Sequence, residues 1–229
     1  MMRIIFVRHG HPDYEKNCLT EIGHKQAEAA AQRLSGETVE AIYSSHYGRA
    51  LETAAHIAAR HHLPVRQLDF MYELHWGSAD SSPIHKDGNP WFLAHEMVCE
   101  NRSLFDPGWQ EREGFRESIL HEHIQRVTEG IDTFLAGLGY AREGHYYRVT
   151  EENDHTYILV SHAGSSGAVL GHLLNLPFPF VCSTMSPVFT GISIINFRGK
   201  TGQLITPRVE LLSDARHIDG LRVEMEYKQ

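Results

Sequence analysis

The chain has 229 residues, of which 41% are apolar and 10% aromatic, so it is long and apolar enough to bury a substantial core. This composition excludes disorder for most of the chain, and no apolar run reaches the roughly 20 residues of a membrane-spanning helix. The net charge of −8 excludes a general attraction to nucleic acid or to an acidic membrane. Cys18, Cys99 and Cys182 are widely spaced, which favours a reducing compartment, so we predict a soluble, cytoplasmic protein.

Apolar runs and helical spacings alternate along the chain and predict its secondary structure. From the N-terminus we expect a strand at 4–7, a polar loop, a helix at 20–34 capped by Thr20, a strand at 39–43, a helix at 47–58 and a strand at 65–68. Later elements are a long helix at 109–138, a polar connector at 139–154, a strand at 156–160, a helix at 164–176 and a strand at 192–197. This order predicts an α/β fold with three layers, a mainly parallel central sheet with helices on both faces.

Residues 78–107 differ in composition from the segments around them. Clusters of serine, proline, aspartate and glycine flank a short helix pattern at 91–101. We interpret this stretch as a helical lid insertion in a single domain that spans 1–229.

Basic and imidazole side chains follow three of the predicted strands. Arg8 and His9 come after the first strand, Arg49 begins the helix after the second, and His162 follows the strand at 156–160. Ligands of open α/β sheets bind at the carboxyl ends of the strands, so these side chains should meet there. Guanidinium groups and helix N-termini bind phosphoryl oxygens, and no Asp or Glu occurs from His155 to Val209. The sequence therefore predicts an anion site.

A set of short motifs relates this predicted anion site to a known protein family. Their order and spacing from Arg3 to about Leu176 resemble the histidine phosphatase superfamily, the family of phosphoglycerate mutases and related phosphatases. The motifs are Arg8-His9-Gly10, Leu19-Thr20-Glu21-Ile22-Gly23-His24-Lys25-Gln26-Ala27, Tyr43-Ser44-Ser45 with Arg49-Ala50 and Thr53-Ala54, Glu73 with Gly77, and Ser161-His162-Ala163-Gly164.

The resemblance implies a role for each central residue. His9 would attack phosphorus as a neutral imidazole and form a phosphohistidine, while Arg8, Arg49 and His162 would hold the phosphoryl oxygens. Glu73 would protonate the leaving oxygen and later activate water. No metal and no cofactor would be needed, because the arginines supply positive charge. The implied partner is a small phosphorylated substrate.

Two departures from the family pattern favour a phosphatase over a mutase. The loop at 11–18 is short and lacks groups expected to hold a bisphosphorylated cofactor, although Asn17 is a candidate phosphate contact. In the insertion, Arg102 and Arg112 stand apart rather than as an adjacent pair that could bind a second anionic group. Trp76 and Ala163 are further candidates for substrate contact. A mutase-type phosphotransferase and a non-catalytic phospholigand-binding protein stay open as alternatives.

Two other ligand classes fit less well. His9-x-His11-x-Asp13 begins a motif of dinuclear metallohydrolases, but Tyr14 stands where that motif needs histidine. The loop at 164–167 lacks the first Gly-x-Gly of a dinucleotide site, and no carboxylate follows about 20 residues later to bind ribose. We therefore expect neither a metal ion nor a dinucleotide.

Overall fold

The computed structural model describes residues 1–223. Its strands are β1 (Met2–Arg8), β2 (Ala41–Ser44), β3 (Val65–Gln67), β4 (Tyr140–Glu143), β5 (Tyr146–Val149), β6 (Thr156–Ser161), β7 (Ile192–Phe197), β8 (Leu204–Ile205) and β9 (Arg208–Asp214). Its α-helices are α1 (Glu21–Leu34), α2 (Gly48–His61), α3 (Pro90–Cys99), α4 (Leu120–Gly137), α5 (Ala163–Leu174) and α6 (Phe178–Thr184). Pro12–Asp13 and Cys18–Leu19 pair as a small separate ladder.

The central sheet of the described residues has six strands in the order β9-β7-β1-β6-β2-β3. β1, β6, β2 and β3 pair in parallel, whereas β7 and β9 add an antiparallel edge. One apolar core lies between the sheet and α4 and α5, and a second lies between the sheet and α1 and α2. The predicted three-layer α/β fold with a mainly parallel sheet is therefore confirmed.

β1 shows how a short apolar run serves both cores. Ile4 and Phe6 face the core that contains α4 and α5, whereas Ile5 and Val7 face the α1 and α2 side. Successive side chains of a strand point to opposite faces, so a strand covered on both sides must be apolar throughout. The same pattern in β6 places the two strands side by side in the middle of the sheet.

The predicted long helix at 109–138 is wrong over its first third. Trp109–Glu111 form one 3-10 turn, and α4 begins only at Leu120. Gly114 adopts φ +83°, a left-handed conformation that interrupts a right-handed helix. Trp109 and Phe115 are buried with ring centroids 5.0 Å apart, so irregular chain brings their rings together in the core.

The predicted polar connector at 139–154 is also wrong. It forms the hairpin β4–β5 around Gly144, which has φ +60°, and β8 adds a third strand. Tyr147 is fully buried and donates a hydrogen bond from its hydroxyl to Asp132 Oδ1 in α4, 2.7 Å away. Charged side chains on the solvated face of this ribbon hide the strand pattern in the sequence.

The insertion contains the helix expected there, shifted by one or two residues. The Asn89 side chain accepts hydrogen bonds from the backbone N–H groups of Trp91 and Phe92, and this cap fixes the start of α3 at Pro90. That 1–229 form one domain with a lid at 78–107 stays a prediction, and 224–229 lie outside the described residues. Between residues 1 and 223, no helix is long and apolar enough to cross a membrane.

Candidate active site

The carboxyl ends of three parallel strands lie side by side at one end of the sheet. Arg8, the last residue of β1, lies opposite Ser161, the last residue of β6. Ser44 at the end of β2 lies opposite Val160 of β6. The residues that follow these strands therefore share one end of the sheet, and the rings of His9 and His162 lie 5.1 Å apart between centroids.

His9 is almost fully buried, and its contacts indicate which nitrogen carries the proton. Nδ1 donates to the backbone carbonyl of Gly10 at 2.7 Å, and Nε2 lies 3.3 Å from Arg49 Nε, which donates to it. Nε2 is thus the unprotonated nitrogen. Burial lowers the pKa of His9 well below its ordinary value, and the charges of Arg8 and Arg49 lower it further.

Glycine is needed at position 10 because the chain passes very close to helix α1. A Cβ on Gly10 would stand 2.5 Å from the carbonyl oxygen of Gly23, a backbone atom that cannot move aside cheaply. The Gly10 N–H donates to Thr53 Oγ1 at 3.0 Å, and Thr53 Oγ1 donates to the carbonyl of Arg49 at 2.8 Å. These contacts fix the loop after His9 against α1 and α2.

The Arg8 guanidinium is held by a segment from the C-terminal part of the chain. Its Nη1 donates to the carbonyl of Pro187 at 2.8 Å, and its central carbon lies 4.2 Å from the centre of the Phe189 ring. A cation over an aromatic face is attracted by the ring. Arg8 is buried, so its charge acts in a medium of low dielectric constant.

Arg49 is held by a different set of contacts. Its Nη1 donates to Asn17 Oδ1 at 2.8 Å, and its central carbon lies 4.8 Å from the Tyr47 ring centre and 5.4 Å from that of Tyr14. With Nε on His9, the guanidinium is oriented by groups on three sides. A preoriented charge needs little reorganisation when a phosphoryl group binds.

His162 is the N-cap residue of α5 and is fully buried. Its Nε2 lies 2.9 Å from Ser45 Oγ, while Nδ1 is a buried nitrogen that has no hydrogen-bond partner within residues 1–223. If the Ser45 hydroxyl donates to Nε2, the proton lies on Nδ1, which is then a donor for an anion. Burial lowers the pKa of His162 well below its ordinary value, as do His9 and Arg49.

The Glu73 carboxylate lies at the N-terminus of α5. Its Oε1 accepts hydrogen bonds from the backbone N–H groups of Leu74 at 2.9 Å and Ser165 at 3.0 Å, and its Oε2 accepts one from Gly164 at 3.4 Å. Helix N-termini carry free N–H groups and a partial positive charge, so they hold carboxylates well. α5 starts directly after His162, so Glu73 and His162 meet at the same helix N-terminus.

The chain before Glu73 is held from the other side by α4. Arg126 donates from Nη2 to the carbonyl of Tyr72 at 2.9 Å and from Nε to that of Phe70 at 3.3 Å. Its guanidinium also stacks 3.3 Å from the centre of the Tyr72 ring. Gly130 of α4 makes room for the Phe70 ring, since a Cβ there would stand 2.2 Å from it. Glu73 is therefore fixed between two helices.

The three weaker candidates lie around this centre. Asn17 accepts the hydrogen bond from Arg49 described above and so helps to orient that guanidinium. Ala163 is the first residue of α5, next to His162. Trp76 is exposed and packs edge-to-face on Trp91 of the insertion with ring centroids 5.4 Å apart. Substrate contact by these three residues stays a prediction.

The residues that support the main side chains have no role that the sequence predicts. Ser45 and Thr53 lie within the motifs but carry no predicted function, and Tyr47 fits the helical pattern although it is the N-cap residue of α2. Phe189 and Pro187 gave no signal at all, because their contacts with Arg8 join parts of the chain that lie far apart in sequence.

Acid is expected to destabilise the folded chain, because His9 and His162 stay neutral inside it. The unfolded chain binds protons on these imidazoles below an ordinary pKa of about 6.5, whereas the folded chain, with both pKa values lowered, does not. The free energy of unfolding should therefore fall by about 1 kcal/mol per imidazole between about pH 6.5 and about pH 5.5. Urea unfolding checks this: His9→Asn should lose about 1 kcal/mol less than wild type over that range, and equal losses would refute the assignment.

A buried imidazole beside two guanidinium groups, at the carboxyl end of a parallel sheet, is an arrangement typical of proteins that act on phosphoryl groups. The sequence profile of the histidine phosphatase superfamily (branch 1) matches residues 4–209. The chain belongs to this superfamily.

Known proteins similar to this chain agree with that membership. Glucosyl-3-phosphoglycerate phosphatase of Mycolicibacterium vanbaalenii is 25% identical over 185 residues, which are 76% of this chain and 75% of that protein. Among solved structures, a phosphoserine phosphatase mutant from Entamoeba histolytica in complex with phosphoserine has a TM-score of 0.65 and 19% identity, over 95% of this chain and 100% of the other. A mycobacterial glucosyl-3-phosphoglycerate phosphatase with inorganic phosphate has a TM-score of 0.64 and 20% identity, over 95% and 99%.

Proposed function

We propose that this protein is a metal-independent phosphatase that hydrolyses a small phosphomonoester through a phosphohistidine on Nε2 of His9. The observation that carries the proposal is the state of His9. The Gly10 carbonyl accepts a hydrogen bond from Nδ1–H, Arg49 donates to Nε2, and burial keeps the ring neutral. A neutral imidazole with a fixed lone pair among cationic groups is an activated nucleophile for phosphorus.

The first step transfers the phosphoryl group to the enzyme. The lone pair of His9 Nε2 forms a bond to phosphorus while the bond from phosphorus to the leaving oxygen breaks. Glu73 gives its proton to that oxygen, so the product leaves as an alcohol rather than an alkoxide. The Nδ1–H bond to Gly10 stays in place, which spreads the positive charge that develops on the ring.

The second step returns the enzyme to its starting state. Glu73, now a carboxylate, takes a proton from water, and the resulting hydroxide forms a bond to phosphorus. The bond between phosphorus and His9 Nε2 breaks, which releases inorganic phosphate and restores neutral His9. Glu73 is thereby protonated again and ready for the next turnover.

Arg8, Arg49 and His162 stabilise the charge on the phosphoryl oxygens in both steps. Catalysis of phosphoryl transfer consists mainly of positioning and of such charge stabilisation. Both guanidinium groups are buried and held by carbonyl and aromatic contacts. The unpartnered Nδ1 of His162 supplies a third donor. These groups take the place that a metal ion has in other phosphatases.

The residues around the site favour a phosphomonoester over a bisphosphate as the substrate. Arg102 of the insertion and Arg112, which follows it, both form ion pairs with Glu100 rather than a free site for a second anionic group: Arg112 Nη2 lies 2.8 Å and Arg102 Nε 3.4 Å from its carboxylate. The similar proteins act, by their names, on phosphoserine and on glucosyl-3-phosphoglycerate, which are both phosphomonoesters. We place the protein in the cytoplasm, since its three cysteines are unpaired.

A panel of phosphate esters tests the proposed activity. With EDTA present throughout, the enzyme should release phosphate from at least one small monoester, phosphoserine and 3-phosphoglycerate being included, at a rate unchanged by the chelator. It should act on bisphosphorylated sugars or glycerates with a lower kcat/KM. Loss of activity with EDTA would contradict the metal-independent mechanism. A higher kcat/KM on a bisphosphate would favour a mutase, and phosphate binding without turnover would favour a binding protein.

A further inference from the structure

Gly164, the second residue of α5, lies directly against the carboxylate of Glu73. A Cβ at position 164 would stand 2.6 Å from Glu73 Oε1 and 3.1 Å from Leu74 Cγ. Non-bonded carbon and oxygen atoms do not approach so closely, so any larger residue must push the carboxylate away. Glu73 Oε1 is the end of a flexible side chain, so it would move before the backbone of α5 does.

Backbone conformation does not require a glycine at this position. Gly164 lies in the regular α-helix α5, where glycine is about 1 kcal/mol less favourable than alanine. Gly167, one turn later in the same helix, has ordinary space around it: the nearest atom to a Cβ there is Val181 Cγ1 at 3.5 Å. The two glycines therefore differ in the side chains that lie against them: Glu73 and Leu74 are in close contact with the first, and Glu73 Oε1 is the nearest atom.

Glu73 also supplies what the start of α5 lacks. His162 at the N-cap position makes no side-chain capping hydrogen bond, and the first turn of α5 contains no acidic residue. Carboxylates stabilise helix N-termini by accepting from their free N–H groups. Glu73, 91 residues earlier in the chain, takes this position through Ser165 N and Gly164 N. Its carboxylate can reach these N–H groups because no side chain stands in the way.

We propose that Gly164 is a positioning residue for proton transfer: the absence of a side chain lets the N-terminus of α5 hold the Glu73 carboxylate next to the phosphoryl site. This proposal rests on the proposed role of Glu73 as proton donor and acceptor. It assigns to Gly164 no contact with the phosphoryl group, whose oxygens are held by Arg8, Arg49 and His162.

The test compares Gly164→Ala with Gly167→Ala on two esters. Alkyl phosphates need a proton on the leaving oxygen, whereas p-nitrophenyl phosphate has a leaving group stable as an anion. Gly164→Ala should lower kcat/KM for the alkyl ester by about 10²-fold, the scale of a lost general acid. With p-nitrophenyl phosphate it should give a burst of p-nitrophenol followed by slow turnover. Inhibition by inorganic phosphate should stay within about twofold, and Gly167→Ala should resemble wild type in every assay.

The outcomes separate this proposal from the proposed function. If Glu73→Gln shows no dependence on the leaving group, the role of Glu73 itself fails. The positioning role of Gly164 fails if the rate depends on the leaving group in Glu73→Gln but not in Gly164→Ala. It also fails if Gly164→Ala lowers kcat/KM equally for both esters and weakens inhibition by phosphate. In the Glu73→Gln background, Gly164→Ala should cause no further loss, because it acts through Glu73.

If Gly164→Ala does not fold, it is compared with a double variant that also lacks the Glu73 carboxylate. The shortest contact of an added Cβ, at 2.6 Å, is with Glu73 Oε1, and the next two, at 3.1 and 3.2 Å, are with Leu74. The double variant Glu73→Ala with Gly164→Ala should therefore fold, as measured by its thermal unfolding midpoint. A double variant that does not fold would overturn the proposal, because it would show that position 164 matters for packing of the backbone rather than for Glu73.

Discussion

Replacing His9 by alanine is expected to lower kcat for every phosphate ester by at least about 10⁴-fold, the scale seen when a covalent nucleophile is removed. The loss is independent of the leaving group, because His9 Nε2 forms the bond to phosphorus in each case. His9→Ala removes a buried ring, so the thermal unfolding midpoint should fall, but circular dichroism should show a folded protein at the assay temperature. Steady-state assays of phosphate release measure the effect.

Asp13→Asn is the matched control for His9→Ala. Asp13 is the third position of the metal-binding pattern that begins at His9, and its carboxylate pairs with Lys16 at 3.2 Å on the surface. A phosphohistidine mechanism predicts activity within about twofold of wild type, since surface ion pairs of this kind contribute at most about 1 kcal/mol. A loss in Asp13→Asn comparable to that in His9→Ala would instead favour a metal site.

Replacing Glu73 by glutamine is expected to separate the two chemical steps. Glutamine can still accept from the N–H groups of Leu74 and Ser165, but it carries no acidic proton. With alkyl phosphates, kcat/KM should fall by about 10²–10⁴-fold, the range for general acid catalysis. With p-nitrophenyl phosphate, the first step should stay fast and the second become slow, so p-nitrophenol should appear as a burst equal to the enzyme concentration. Stopped-flow absorbance measures the burst.

Glu122→Gln provides the same chemical change away from the site. Glu122 is exposed in the first turn of α4, and its replacement should leave both esters unaffected. If Glu73→Gln lowered the rates on alkyl and p-nitrophenyl phosphates equally and gave no burst, Glu73 would act by fixing the structure of the site rather than by transferring protons.

The sequence predicts the positions of those site residues that end or follow the parallel strands. Arg8, His9 and His162 directly end or follow strands whose apolar runs are continuous, and parallel strands place their carboxyl ends together. Arg49 follows from the same rule, since only three residues separate the end of β2 from the start of α2. A local pattern and one rule of topology therefore predict which of these side chains come together at the carboxyl end of the sheet.

Contacts between distant parts of the chain could not be predicted in this way. Neither the hydrogen bonds from α5 to Glu73 nor the stacking of Phe189 under Arg8 leaves a periodic trace in the sequence. The break before α4 is similar, because the contact between the Trp109 and Phe115 rings forms through irregular chain. In each case, tertiary packing rather than local preference decides the structure.

Rapid-quench trapping of the phosphoenzyme tests the central claim most directly. Wild type and Glu73→Gln are mixed with p-nitrophenyl phosphate, stopped within the burst and analysed by intact mass and by peptide mapping. The mechanism predicts one phosphoryl group per chain, stable in base and labile in acid, located on His9, more abundant in Glu73→Gln and missing from His9→Ala. Phosphate release without any phosphorylated protein, or a phosphoryl group on another residue, would contradict it.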